Sequence, residues 1–262
     1  QHTHLMNLLN NGGFEFTDTF FPYTSGEIGP YFVQSAVVQQ DGPSYVRAIR
    51  DLCTLISHKV GHDNFTVSGG ESRDWIFSNP AAFYMEKPHA TLYKDGRIIG
   101  ADVQEQNVVH IADLNNEGSS PRDKWIPMIR NAGGNIDHMF FYVDRNEGGT
   151  EVVQELDVEP HALVTLDGHT WDFLHNLEVL TDGQYNNIMK RLDDKEAWAE
   201  EMLLSEAGLQ TLAALYQGTP KDAQKAHKVF CHYPHLGSQI TDGLREIGYQ
   251  RRICWDDTDA MS

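Results

Sequence analysis

Asn107-Val108-Val109-His110-Ile111-Ala112-Asp113-Leu114-Asn115-Asn116-Glu117-Gly118-Ser119-Ser120 opens as a short apolar run and breaks into a polar turn. The apolar half reads as a buried strand. The turn carries an acid, a glycine and two hydroxyls ahead of a predicted helix, the composition of a phosphate-ribose cradle. Backbone N–H groups at a helix start face an anion, and hydroxyls add donors. An ordinary strand-turn-helix connection is the alternative reading of the same residues.

Outward from this stretch, helical and strand patterns alternate. Pro43 to Val60 has apolar residues at helical spacing and closes on Lys59 and Gly61. Phe65 to Ser68 reads as a strand running into the turn Gly69-Gly70-Glu71-Ser72-Arg73-Asp74, which opens a helix through Trp75 to Lys87. Pro88 to Gly96 is strand then turn, Pro121 to Ala132 a helix, and Met139 to Val143 and Ala162 to Leu166 further strands. The alternation predicts an α/β fold, a parallel sheet flanked by helices. Ligands of such sheets sit beyond the carboxyl ends of the strands, where Asp113, Gly69 to Arg73 and Asp144-Arg145 fall.

Upstream, Leu5 to Leu9 suggests a short helix, and Phe20 to Phe32 two short strands around a tight loop. From about His175 the pattern turns helical, over Tyr185 to Gln217, Asp222 to Phe230 and Ile240 to Ile247. The expected domains are therefore 1–174, an α/β domain, and 175–262, a C-terminal helical appendage.

The 262 residues carry 20 Lys and Arg against 38 Asp and Glu, a formal charge of −18. A field of that sign repels nucleic acid and anionic membrane surfaces. No apolar run approaches the ~18 residues of a membrane span. Three widely spaced cysteines, Cys53, Cys231 and Cys254, argue against a disulfide framework and for a reducing, cytoplasmic setting. No secretory signal is visible, and because the chain starts at Gln1 rather than Met its true N-terminus is left open.

Three segments, in order, resemble orotate phosphoribosyltransferase of the type I phosphoribosyltransferase class. Thr24-Ser25-Gly26-Glu27-Ile28-Gly29-Pro30-Tyr31-Phe32 is similar to that family's Lys-Ser-Gly-Arg-x-Ser-Pro-Tyr-Phe segment. Asp113 to Ser119 is similar to its loop for 5-phosphoribosyl 1-diphosphate (PRPP), and Val143 to Gly149 to its Asp-Arg-x-Glu-Gly-Gly segment. The likeness runs over roughly residues 17–174. It implies transfer of phosphoribosyl from PRPP to a pyrimidine-type base, with pyrophosphate release, Mg²⁺ as cofactor and a homodimer as the assembly. Asp113 and Lys94 would be the catalytic groups, Asp113 holding the ribose. Asn116, Gly118, Ser119 and Ser120 would take the 5′-phosphate, Arg73 and Lys94 the pyrophosphate, and Arg145, Tyr31 and Phe32 the base.

Several positions depart from the family. Ala112 replaces one of its two ribose acids, and Glu117 brings a negative charge towards a phosphate. At ~4 Å and an effective dielectric near 20, that opposition is on the order of 4 kcal/mol per charge pair. Thr24 and Glu27 stand where the family has Lys and Arg. Asp95-Gly96-Arg97 leads directly into Ile98, so the mobile catalytic loop is expected to be short, with Arg97 replacing one of its cations. The alternative is thus an impaired homologue that binds a nucleotide or regulates, and a third reading is a structural subunit.

Arg145 and Arg73 have a second reading as partners of Asp144 and Asp74. His227, Cys231, His232 and His235 have ligand chemistry but match no standard zinc spacing, and no metal ligand is assigned. His2 and His4 are expected to be solvated, Trp171, Trp198 and Phe173 to be core or interface, and Asp193-Asp194 and Asp256-Asp257 to be solvated charge.

Overall fold

The computed structural model describes residues 1–61 and 64–249, so Cys254 and Asp256-Asp257 lie outside the described residues. The elements are α1 (His2–Asn10), β1 (Phe14–Pro22), β2 (Ile28–Val33), α2 (Gly42–Val60), β3 (Thr66–Gly70), α3 (Trp75–Tyr84), β4 (His89–Leu92) and β5 (Ile98–Gly100). After them come β6 (Asn107–Asn115), a π turn over Pro121–Trp125 leading into α4 (Ile126–Asn131), β7 (Asn135–Asp144), α5 (Gly149–Gln154), β8 (Glu159–Thr165) and α6 (Gly168–Asn176). The last elements among the described residues are α7 (Asp182–Asp193), α8 (Lys195–Leu204), α9 (Glu206–Gln217), α10 (Pro220–His232) and α11 (Gly237–Glu246).

By contacts the chain divides into two compact units, residues 1–14 with 33–170 and residues 15–32 with 171–262. The first holds a six-stranded sheet ordered β5-β4-β3-β6-β7-β8, parallel except for the edge strand β5. Helices α1, α2 and α3 contact it, as do α4 and α5. This is the expected parallel sheet flanked by helices. With both faces covered, its central strands are apolar on both sides. Val108, Ala112, Met139 and Phe141 pack with Trp125, Ile126 and Ile129 in one cluster, whereas Phe140 and Tyr142, alternating with them, belong to the opposite face. Phe77 of α3 stacks on Tyr142. Helix α2 starts where the Asp41 side chain accepts from the Ser44 N–H and stops at Gly61. His4, expected to be solvated, is buried, with Nε2 3.0 Å from Asp51 Oδ2. The apolar faces of α1 carry it inward.

The second unit joins the β1-β2 hairpin to the C-terminal helices. Phe20 and Ile28 share a core with Trp198, Leu212, Phe230, Ile240 and Leu244. The expected boundary put the hairpin inside the 1–174 domain; its apolar side chains and the buried Glu27 pack with the helices instead. Glu27 meets Arg191 at 3.0 Å and Lys195 at 2.7 Å. The helical pattern over 185–217 is cut into three helices because Thr181, Asp194 and Ser205 each cap a new start. Asp194, read as solvated charge, is one of those caps. Trp171 and Trp198 are buried, as expected. No helix among the described residues is long and apolar enough to cross a membrane.

Candidate active site

Strand β3 is the pivot of the sheet. Its neighbours are β4 on one side and β6 on the other, so the connection leaving β3 for β4 and the one leaving β6 for β7 diverge at the carboxyl ends of the two strands. Such a switch point leaves a crevice. Here it is a cleft of about 320 Å³, lined by Glu71, Arg73, Asp74, Lys94, Asp113 and Ser120 among others.

Two carboxylates organise its floor. Asp74 accepts from the Gly70 N–H through Oδ2 and from the Asp113 N–H through Oδ1, both at 3.0 Å. One side chain thereby ties the ends of β3 and β6 together. A Cβ on Gly70 would come within 2.2 Å of Trp125, so only glycine lets the indole close over this turn. The Asp113 carboxyl accepts from Ser35 Oγ at 2.7 Å. Burial first, and then the Asp74 carboxylate beside it, raise the Asp113 carboxyl to about 7, against opposing pulls from Ser35 and Arg73. Behind the pair, His110 is fully buried with Nδ1 2.9 Å from Ser68 Oγ and Nε2 3.7 Å from Asp74 Oδ2.

The phosphate turn follows β6. Gly118 has φ +69° and a Cβ there would press on Val152 at 2.8 Å, so the position demands glycine twice over. Ser119 and Ser120 are exposed, and Ser120 reaches the cleft lining. Asn116 Oδ1 is buried without a hydrogen-bond partner.

The cationic side is thin. Arg73 and Lys94 are exposed on the cleft, and the Lys94 backbone N–H donates to Glu71 Oε2 at 2.9 Å. The β4-β5 connection is the tight turn expected of a shortened loop, closed by Tyr93 N–H to the Arg97 carbonyl at 2.9 Å. Arg97 does not supply the missing cation to the cleft. It pairs with Asp95 at 2.7 Å and lies over the Tyr93 ring.

Of the sequence-derived residues, Asp113, Lys94, Arg73 and Ser120 meet in this cleft, with Asn116, Gly118 and Ser119 on the turn leading to it. Arg145 is not in the cleft lining. It is buried and paired at 2.7 Å with Glu147, rather than with Asp144, which accepts from Asn115, Asn146 and Thr150. Tyr31 and Phe32 belong to the second unit, where Tyr31 packs on Trp171 and Phe32 is 40 % exposed. His227 and Cys231 are 3.5 Å apart on α10, with no third ligand in reach among the described residues. Sequence reasoning missed Asp74, Glu71 and Ser35 as parts of the site. A carboxylate in each Gly-rich turn was the available signal.

A strand-borne acid, a Gly-Ser-Ser turn and a second Gly-rich turn border one switch-point cleft. No family model matches the chain. It is 27 % identical over 187 residues to the orotate phosphoribosyltransferase of Staphylothermus marinus, covering 66 % of this chain and 85 % of that one. It is 31 % identical over 125 residues to the adenine phosphoribosyltransferase of Mannheimia succiniciproducens, covering 39 % of this chain and 69 % of that one. In fold it is similar to Leishmania donovani UMP synthase, with a TM-score of 0.64 and 18 % identity over 73 % of this chain, which spans 42 % of that longer protein. The chain belongs to the type I phosphoribosyltransferase family and is orotate phosphoribosyltransferase-like within it.

Proposed function

We propose that this chain binds PRPP in the switch-point cleft and transfers its phosphoribosyl group to a pyrimidine-type base, with release of pyrophosphate. The observation that carries the reading is the convergence of Asp113, Ser120, Arg73 and Lys94 on one cleft of a phosphoribosyltransferase-family chain. In this reading Asn116, Gly118, Ser119 and Ser120 hold the 5′-phosphate, Asp113 the ribose hydroxyls, and Arg73 and Lys94 the pyrophosphate. Catalysis is positioning plus stabilisation of charge at an oxocarbenium-like centre. Arg145 would present a planar fork to the base, sharing it with Glu147.

Mg²⁺ suits this donor set, because carboxylates are hard oxygen ligands. Asp74 has both oxygens engaged by backbone N–H groups, which leaves Glu71 and Asp113 to hold the ion. When bound, it would neutralise the diphosphate. A homodimer belongs to the same proposal, with Val46, Phe83 and Tyr84 as exposed apolar side chains on α2 and α3.

Binding of a nucleotide without turnover is the second reading. The short Tyr93–Arg97 turn, with Arg97 held by Asp95, and the absence of an acid at Ala112 favour it. Titration calorimetry with PRPP, with and without Mg²⁺, separates the two when followed by a pyrophosphate-release assay with orotate and then adenine. Mg²⁺-dependent binding with release on adding orotate is expected. Release with adenine alone would move the base to a purine, binding without release would favour the second reading, and no binding would overturn both.

A further inference from the structure

Three ligand-type side chains meet at the amino-terminal ends of β7 and β8, the opposite end of the sheet from the cleft. In the parallel register His138 stands beside Glu159, and Phe140 beside His161. Residues two apart on a strand share a face, so both imidazoles and the carboxylate project to one side. His138 Nδ1 is 3.2 Å from His161 Nε2. Glu159 Oε2 is 3.6 Å from His138 Nδ1, and Oε1 is 3.7 Å from His161 Nε2. Metal–ligand bonds of about 2.0–2.1 Å in tetrahedral geometry hold their ligands about 3.3 Å apart. The imidazole pair matches that spacing, and each carboxylate oxygen lies within about half an ångström of it from one imidazole, so an ion between the rings meets the carboxylate through either oxygen.

The shell around these atoms supports the same chemistry. His161 is 6 % exposed and packs against Phe140 and the His138 ring, which restricts its orientation. Glu159 is exposed and also meets Lys59 Nζ at 3.9 Å, so a cation already occupies the carboxylate's neighbourhood. His138, Glu159 and Lys59 are the charged or titratable groups acting on His161.

We propose that His138, Glu159 and His161 form a site for a divalent transition metal of the zinc, cobalt or nickel class. The metal would leave one position open to water and staple the edge strand β8 to β7. Two imidazoles and one carboxylate suit these ions better than magnesium or calcium. The site is separate from the phosphoribosyl cleft and stands whether or not that cleft is active.

The test is a Co²⁺ titration of the full chain, followed by visible absorption, Zn²⁺ competition and thermal melts. One saturable site is expected, with ligand-field bands that Zn²⁺ abolishes and a melting temperature raised by roughly 5 °C at a hundredfold excess over the Kd. Glu159→Gln, at an exposed position that tolerates change, and His138→Gln should each weaken binding by at least about tenfold, the loss seen even for groups behind a ligand. Lys59→Met should tighten it by removing the competing cation. Absence of a saturable Co²⁺ site, or binding unchanged in both Glu159→Gln and His138→Gln, would overturn the proposal.

Discussion

Two acids in this protein, the buried Glu27 and the half-buried Asp113, have opposite surroundings. Glu27, in the helical unit, is held by Arg191 at 3.0 Å and Lys195 at 2.7 Å, and Arg191 also donates to the Ile28 carbonyl at 3.2 Å. Asp113, in the sheet unit, faces another acid, Asp74, and accepts one hydroxyl from Ser35. The first arrangement offsets the cost of burying charge and fastens a hairpin to helices. The second leaves that cost standing, at the mouth of a cleft where a cationic ligand would relieve it. Stability has been put into one acid and withheld from the other, and a withheld interaction is characteristic of a site.

Removing a partner from the first acid should have the largest effect. Arg191→Ala removes one of the two cations paired with the buried Glu27 and should cost about 3 kcal/mol, the lower end for a broken buried pair, measured by denaturant unfolding. A loss under about 1 kcal/mol would mean that Lys195 suffices.

Next is Asp113→Asn, which should stabilise the protein at alkaline pH. A carboxyl raised from 3.8 to about 7 makes the folded state the better proton binder between those values. This contribution is full below pH 4 and is lost progressively as pH rises to 7, roughly 3 kcal/mol of it above pH 5. Unfolding measured at pH 5 and pH 8 should show this slope in the wild type and a flattened one in the variant. If the comparison is sound, the stabilised variant also binds PRPP more weakly. A wild-type slope absent between pH 5 and 8 would mean that burial and Asp74 together do not raise the Asp113 carboxyl.

Smaller again is Lys94→Ala at the cleft, where loss of one charge-assisted contact should weaken pyrophosphate binding about tenfold with the melting temperature unchanged. Smallest is Arg97→Ala. Because Arg97 is held by Asp95 on the exposed turn, pyrophosphate affinity and stability should both match the wild type. A drop in affinity would return Arg97 to the cleft.

The legibility of each feature follows the distance over which it is made. Strand β6 and the Gly118 turn are local, set by an apolar run and by residues that suit a left-handed turn, and they are readable in fourteen consecutive residues. The same holds for the short β4-β5 connection, whose shortening is visible as missing residues. Segment order then placed Asp113, Arg73 and Lys94 at strand ends, and the structure brings them to one cleft. Arg145 shows where this reasoning stops. Its position was readable, but not its pairing with Glu147 two residues on, since an arginine's reach leaves several partners equivalent in sequence.

The sequence alone determined a helix-flanked parallel sheet, because periodicity and turn chemistry act within a few residues; the phosphoribosyltransferase kinship came from the resemblance of three segments in order. Tertiary structure decided three other matters. It sent the β1-β2 hairpin to the helical unit, where Glu27 finds its cations 164 residues away at Arg191. It set Asp74 against Asp113 across 39 residues, and it brought His138 to His161 across 23. Each depends on strand register or on packing of distant faces, and neither is written in the spacing of neighbouring residues.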